Sequence, residues 1–238
     1  MSVLIAFIAV VVLNLYAAVL IALRSAVYGV KLYRPMLFNI VLSAVPVLIA
    51  IVWFVGILLV PSIASLGPGA VPQIALWTYL IVGTLAWLLL FPNSIYLITE
   101  LNFSHRRDDD PVPLWYDIVQ TLTLTLSGIA NAVLSLAVMQ GAFVFVIADA
   151  SGVAPPESWV FAGAMIVLGA IGVYLGRYLR FNSWDVRHPA SMLRKLGAHL
   201  RQRGKALEAG GFVLTHALLV AVVYVPLYLM AWAALGVR

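Results

Sequence analysis

The chain alternates long apolar runs with short polar connections, and the runs are longer than the core helices of most water-soluble domains. Ser2 to Leu23, Met36 to Val60, Gln73 to Ile98, Leu114 to Ile147, Trp159 to Leu179 and Phe212 to Leu235 each supply roughly the 20 mostly apolar residues that a helix needs to cross a bilayer. The pattern predicts an all-α, polytopic membrane bundle of about six transmembrane helices, forming one domain over 1–238. No Lys or Arg precedes the first run, and it exceeds the apolar core of a cleavable signal peptide, so it reads as a retained span. The third run is interrupted by Phe91-Pro92-Asn93, where proline removes a backbone donor and kinks the helix. The fourth, 34 residues long, exceeds a straight crossing and must tilt, bend or begin along the surface. The Pro- and Gly-rich stretches Pro61–Pro72 and Asp149–Ser158 read as turns.

Composition agrees: 64% of the 238 residues are hydrophobic and 10% charged, against about 25% charged in a soluble domain. With no cysteine, disulfides, thiolate metal sites and cysteine nucleophiles are excluded. The net charge of +5 matters less than its placement. The first, third and fifth connections with their flanks hold 13 of the 14 Lys and Arg residues, Arg238 being the other. The positive-inside rule therefore sets those connections in the cytoplasm and both termini outside it. Between 190 and 208, Met192, Leu193, Leu196, Leu200 and Leu207 share a helical face and Arg194, Arg201 and Lys205 project elsewhere. That stretch reads either as an amphipathic helix on the anionic leaflet or as a solvated basic loop. Neither calls for nucleic acid.

Three polar groups from three spans are expected at the cytoplasmic interface. Asn93, Tyr96 and Glu100 fall within about 60° of one another on the third helix. On the fourth, Asp117, Gln120, Thr121, Gly128, Asn131 and Ser135 form a polar and small-residue stripe within roughly 100°. The fifth ends in Arg177 and Arg180, followed by Asn182, Trp184 and Asp185. Charges inside a bilayer must reach the interface or pair. The two arginines facing Glu100, Asp117 and Asp185 can therefore neutralise one another in an ion-pair network. The same groups can instead bind a phosphate through Arg177 and Arg180, with Asn93, Tyr96, Asn182 and Trp184 lining the site. In that reading Glu100, Asp117 or Asp185 serves as general base or as ligand to a divalent cation, which nothing in the sequence requires. Gln120, Thr121 and Asn131 with His216 are the residues a transport pathway would use, His216 carrying a proton or simply bonding to a neighbouring helix. The Asp108-Asp109-Asp110 run can take a metal but follows two arginines in a loop, where solvation explains it. No zinc spacing, phosphate loop, dinucleotide fingerprint or nucleophile elbow is present.

The blocks Phe91-Pro-Asn-Ser-Ile-Tyr-Leu-Ile-Thr-Glu100, Pro113-Leu-Trp-Tyr-Asp117 and Tyr174-Leu-Gly-Arg-Tyr-Leu-Arg-Phe-Asn-Ser-Trp-Asp185 together resemble the bacterial membrane family called domain of unknown function 1361. The resemblance spans about 75 to 230. The family pattern often has proline at the position of Ile95 and aspartate at that of Glu100; the first departure leaves the exact position of the helix break open, and the second keeps the acid. It implies a multi-pass protein of the bacterial cytoplasmic membrane with these blocks at its core, and no activity. Three functions follow from the residues: binding or processing of an anionic lipid or phosphate-bearing substrate, transport along the fourth-helix stripe, or a structural subunit whose charges only anchor helices.

Overall fold

A computed structural model describes residues 2–64, 71–101, 111–147, 154–179 and 189–234. Among the described residues there are helices and no strand: α1 (Ser2–Tyr28), α2 (Arg34–Ala64), α3 (Val71–Leu90), a short α4 (Pro92–Tyr96) that runs into a 3-10 turn (Leu97–Glu100), α5 (Leu114–Ile147), α6 (Pro156–Tyr178), α7 (Pro189–Leu200) and α8 (Lys205–Ala234). Six stretches are long and apolar enough to cross a membrane: α1, α2, α3 with its continuation to Glu100, α5, α6 and α8. Their outer faces carry large apolar side chains that are more than half exposed, among them Leu4, Leu15, Val52, Val160, Val222 and Met230. In water so wide an apolar surface would drive association, whereas in hydrocarbon it is the ordinary outside of a helix bundle.

Lipid chains are as apolar as leucine, so small residues and interhelical hydrogen bonds must hold such a bundle together. The helix best supplied with both, α5, lies at its centre and packs against α1, α2, α4, α6 and α8. Ala132, Leu136, Met139 and Ala142 on α5 are fully buried, and so are its polar Ser135 and Gln140. At 34 residues α5 is one uninterrupted helix, about 51 Å long against a hydrocarbon thickness of about 30 Å.

The third span breaks where its proline predicts. Phe91 N–H closes the last turn of α3 onto Trp87 O at 2.8 Å, and Pro92, with no N–H, starts α4. Carbonyls at the break then need other donors, because hydrocarbon offers none. Asn93 Nδ2 donates to Leu90 O at 2.9 Å, Thr99 Oγ1 to Tyr96 O at 2.7 Å, and Thr125 Oγ1, from α5, to Leu97 O at 3.3 Å. Side chains at the break are seated against glycines. A Cβ on Gly128 would stand 2.6 Å from Ser94 O, one on Gly169 2.7 Å from the Phe91 ring, and one on Gly172 would run into the Pro92 ring. The break is thus clasped between α5 and α6, which fixes where the 3-10 turn and Glu100 can lie.

Two boundaries differ from the sequence pattern. The amphipathic stretch ends at Leu200 rather than 208, because residues 201–204 form a turn closed by Gly204 at φ +82°. Leu207 therefore belongs to α8, which starts at Lys205, seven residues ahead of the apolar run, with Lys205 Nζ paired to Glu208 Oε2 at 2.7 Å in its first turn.

Candidate functional site

Interhelical hydrogen bonds set the depth of each helix against its neighbours. Antiparallel α1 and α5 are joined by Tyr116 OH donating to Leu20 O at 2.7 Å, by Arg24 and Asp117 at 2.8 Å, and by Asn14 and Asn131. Parallel α2 and α5 meet through Gln120 and Met36 near their starts and through Asn131 and Ser43 two to three turns further on. At the far end of α5, Gln140 Nε2 donates to Ser158 Oγ at 3.1 Å, so antiparallel α6 returns to bring Arg177 beside the first turns of α5. The Thr125 bond to Leu97 O delivers Glu100 to the same level, and a 2.8 Å contact between Tyr174 OH and His199 Nε2 docks α7 there. All the described Lys and Arg residues, from Arg24, Lys31 and Arg34 through Arg177 to Lys205, consequently lie at one end of the bundle.

At that end the expected pairs are redistributed. Asp117 is engaged by Arg24, whose Nε donates to Oδ1 at 2.8 Å, with side chains 25% and 11% exposed respectively. Arg24 reads in the sequence as a topology charge, yet it supplies a guanidinium to Asp117 that the ion-pair reading draws from Arg177 or Arg180. The missed signal is the face of α1: Asn14, Ala17, Ile21 and Arg24 recur at helical spacing, and Ala17 and Ile21 are buried. Glu100 accepts a long hydrogen bond from Asn39 Nδ2 at 3.4 Å. Arg177, partly exposed at the end of α6, is the cation whose field reaches the Glu100 carboxylate, and no ion pair closes between them. Electrostatically, then, one carboxylate is ion-paired to a helix that holds the bundle together, and the other is half-buried, with a cation in its field and no ion pair.

Of the other candidates, Asn93 donates to Leu90 O and so repairs the break, and Tyr96 packs against the central core. Gln120 is buried, its amide turned to Met36 Sδ at 3.7 Å, while its Oε1 has no partner. Arg180, Asn182, Trp184 and Asp185 lie outside the described residues, as do Asp108, Asp109 and Asp110. Among the described residues no three His, Cys, Asp or Glu side chains gather to hold a metal ion.

The α5 stripe is occupied by neighbouring helices. Thr121 Oγ1 donates back to Asp117 O at 2.7 Å. Asn131 exchanges amide hydrogen bonds with Asn14 at 2.9 and 3.0 Å and donates to Ser43 Oγ at 2.8 Å. Gln140 accepts from Tyr224 OH at 2.6 Å besides donating to Ser158. His216 bonds within its own helix, Nδ1 to Phe212 O at 2.9 Å, and stacks on the Phe212 ring. A groove of about 700 Å³ between α2 and α3, bordered by Leu48, Trp53, Tyr79 and Gly83, is lined almost wholly by apolar atoms. Tyr79 OH, its polar tip, donates to backbone carbonyls of α2.

Fold and site together define an all-α, multi-pass membrane protein with a charged end and a polar seam that ties its helices. The chain belongs to the family described as Protein of unknown function (DUF1361), whose model matches residues 38–230. All of α1, with Arg24 and Asn14, precedes the matched region. No curated protein and no solved structure matches the chain.

Proposed function

We propose that this protein binds an anionic, phosphate-bearing lipid or substrate at the charged end of its bundle, at the cytoplasmic face of a bacterial inner membrane. The observation that carries the reading is the contrast between two carboxylates: Asp117 is closed by Arg24 at 2.8 Å, whereas Glu100 lies in the field of Arg177 without an ion pair. A guanidinium at a membrane interface with no carboxylate locked onto it is suited to a phosphate, which it can grip with two parallel N–H donors. Glu100 stands ready as the acidic group beside the bound anion. The positive-inside rule supplies the orientation, since the basic end is the cytoplasmic one under it. Conduction along the α5 stripe is less well supported, because Asn131 and Gln140 are bonded across to α1, α2, α6 and α8.

The test compares Arg177→Gln with Arg24→Gln in purified full-length protein, measuring binding of short-chain phosphatidic acid by native mass spectrometry and stability by denaturant titration. Arg177→Gln should lose phosphatidic acid binding by about tenfold or more, a charge-assisted bond being worth that factor, and keep wild-type stability. Arg24→Gln should be destabilised. If Arg177→Gln binds normally, or is as destabilised as Arg24→Gln, Arg177 is a structural anchor and the reading is wrong.

A further inference from the structure

We infer that the anion taken at this site also carries an ammonium group, as in a phosphoethanolamine headgroup. The inference rests on the binding reading above and names its substrate class. Two acceptors at the site lack adequate donors. Gln120 is 4% exposed, and its amide N–H2 faces the Met36 thioether, which can only accept; the carbonyl Oε1 is therefore the end left over, buried and unpartnered. Glu100 has room for about four hydrogen bonds on its carboxylate and receives one long one, from Asn39 at 3.4 Å. Met36 and Asn39 stand three residues apart on α2 and share a face, so the groups they touch, Gln120 and Glu100, lie about one turn apart along it.

A bare phosphate answers only half of this arrangement. It pairs with Arg177 and is repelled by Glu100. A phosphodiester with an ammonium on the adjoining carbon pair meets both exposed charges: the phosphate faces the guanidinium, and the N–H donors face the Glu100 carboxylate, about one turn from the acceptor-rich Gln120 amide. Charge balance favours it too, because Arg177 and Glu100 sum to zero. A zwitterion of opposite polarity leaves no uncompensated charge at the membrane boundary, whereas an anion alone or a cation alone leaves one.

The experiment titrates unaltered full-length protein in detergent with dioctanoyl phosphatidylethanolamine, phosphatidylcholine and phosphatidic acid, counting bound lipid by native mass spectrometry. Phosphatidylethanolamine should bind about tenfold tighter than phosphatidylcholine, which has the same charges and no N–H, and tighter than phosphatidic acid. Glu100→Gln, which loses the charge and keeps an acceptor, should narrow the preference for the ethanolamine lipid over the choline lipid. Equal binding of the two zwitterions, or tightest binding of phosphatidic acid, overturns the ammonium assignment. If Arg177→Gln still abolishes phosphatidic acid binding in that case, the anion site survives it. Binding of all three lipids indifferent to Arg177→Gln would remove both. The lipid series itself uses no variant, so its outcome does not depend on how a substituted chain folds.

Discussion

Gly128→Ala adds one methyl group at the point where the broken third span touches α5. An ideal Cβ there lies 2.6 Å from Ser94 O and 2.7 Å from Leu97 Cβ. A carbon and a carbonyl oxygen rest at about 3.3 Å at closest, so the segments must part by about 0.7 Å. Ser94 O is backbone inside a clasp closed on its other side by α6, and it cannot swing aside as a side-chain tip would. Overpacking of this kind costs about 1–3 kcal/mol, and the better helix propensity of alanine offsets about 1 kcal/mol, leaving a net loss of about 0–2 kcal/mol against wild type and about 1–3 kcal/mol against a control that gains the same propensity. Gly141→Ala, on the same helix, supplies the control: nothing lies within 4 Å of its Cβ, so propensity acts alone and the variant should equal or exceed wild type. Unfolding by SDS in mixed micelles, followed by tryptophan fluorescence and far-UV circular dichroism, measures both. Because the separation also pulls Leu97 O from Thr125 Oγ1, already 3.3 Å away, Gly128→Ala should weaken phosphatidylethanolamine binding through Glu100. Equal stability of the two variants would refute the close approach, and with it the account of how the break positions the site.

Asp117→Asn removes the negative charge from a charge-assisted bond and should lose about 1.5–3 kcal/mol, with a double-mutant cycle against Arg24→Gln returning a favourable coupling energy. Asn131→Leu deletes three hydrogen bonds to α1 and α2; at about 0.6 kcal/mol each inside a membrane the loss is about 2 kcal/mol, measured by the same SDS titration. Tyr224→Phe strips the donor from Gln140 Oε1 and should cost about 1 kcal/mol, while leaving phosphatidic acid binding at the opposite end of α5 unchanged.

Hydropathy and charge placement are local properties, and they made much of the architecture legible. The six spans follow because each helix must satisfy its own backbone in hydrocarbon, which takes a fixed number of apolar residues whatever its neighbours do. The break at Pro92 follows from a missing N–H, and the convergence of Asn93, Glu100, Asp117 and Arg177 at one end follows from counting crossings. Pair assignment was not legible. Which arginine meets Asp117 depends on which helices are neighbours and at what rotation, and α1 sits against α5 with Arg24 one turn from the Leu20 carbonyl that Tyr116 holds. The periodicity of Asn14, Ala17, Ile21 and Arg24 marks a buried face in retrospect, but in so apolar a helix lipid and protein neighbours select nearly the same residues. Likewise Gln120, Thr121 and Asn131 present one stripe in sequence. Only the packed bundle shows Asn131 consumed by α1 and α2 while Gln120 keeps an unpartnered oxygen.

By itself, then, the sequence determined that this chain crosses a membrane about six times with its positive charge gathered at one end, because transfer of apolar and charged groups between water and lipid is decided residue by residue. Tertiary structure decided that Asp117 meets Arg24 and that Glu100 has Arg177 in its field with no ion pair between them. Hydrogen bonds and ion pairs are short, directional and exclusive, so their assignment waits until neighbouring helices have fixed one another's depth and rotation.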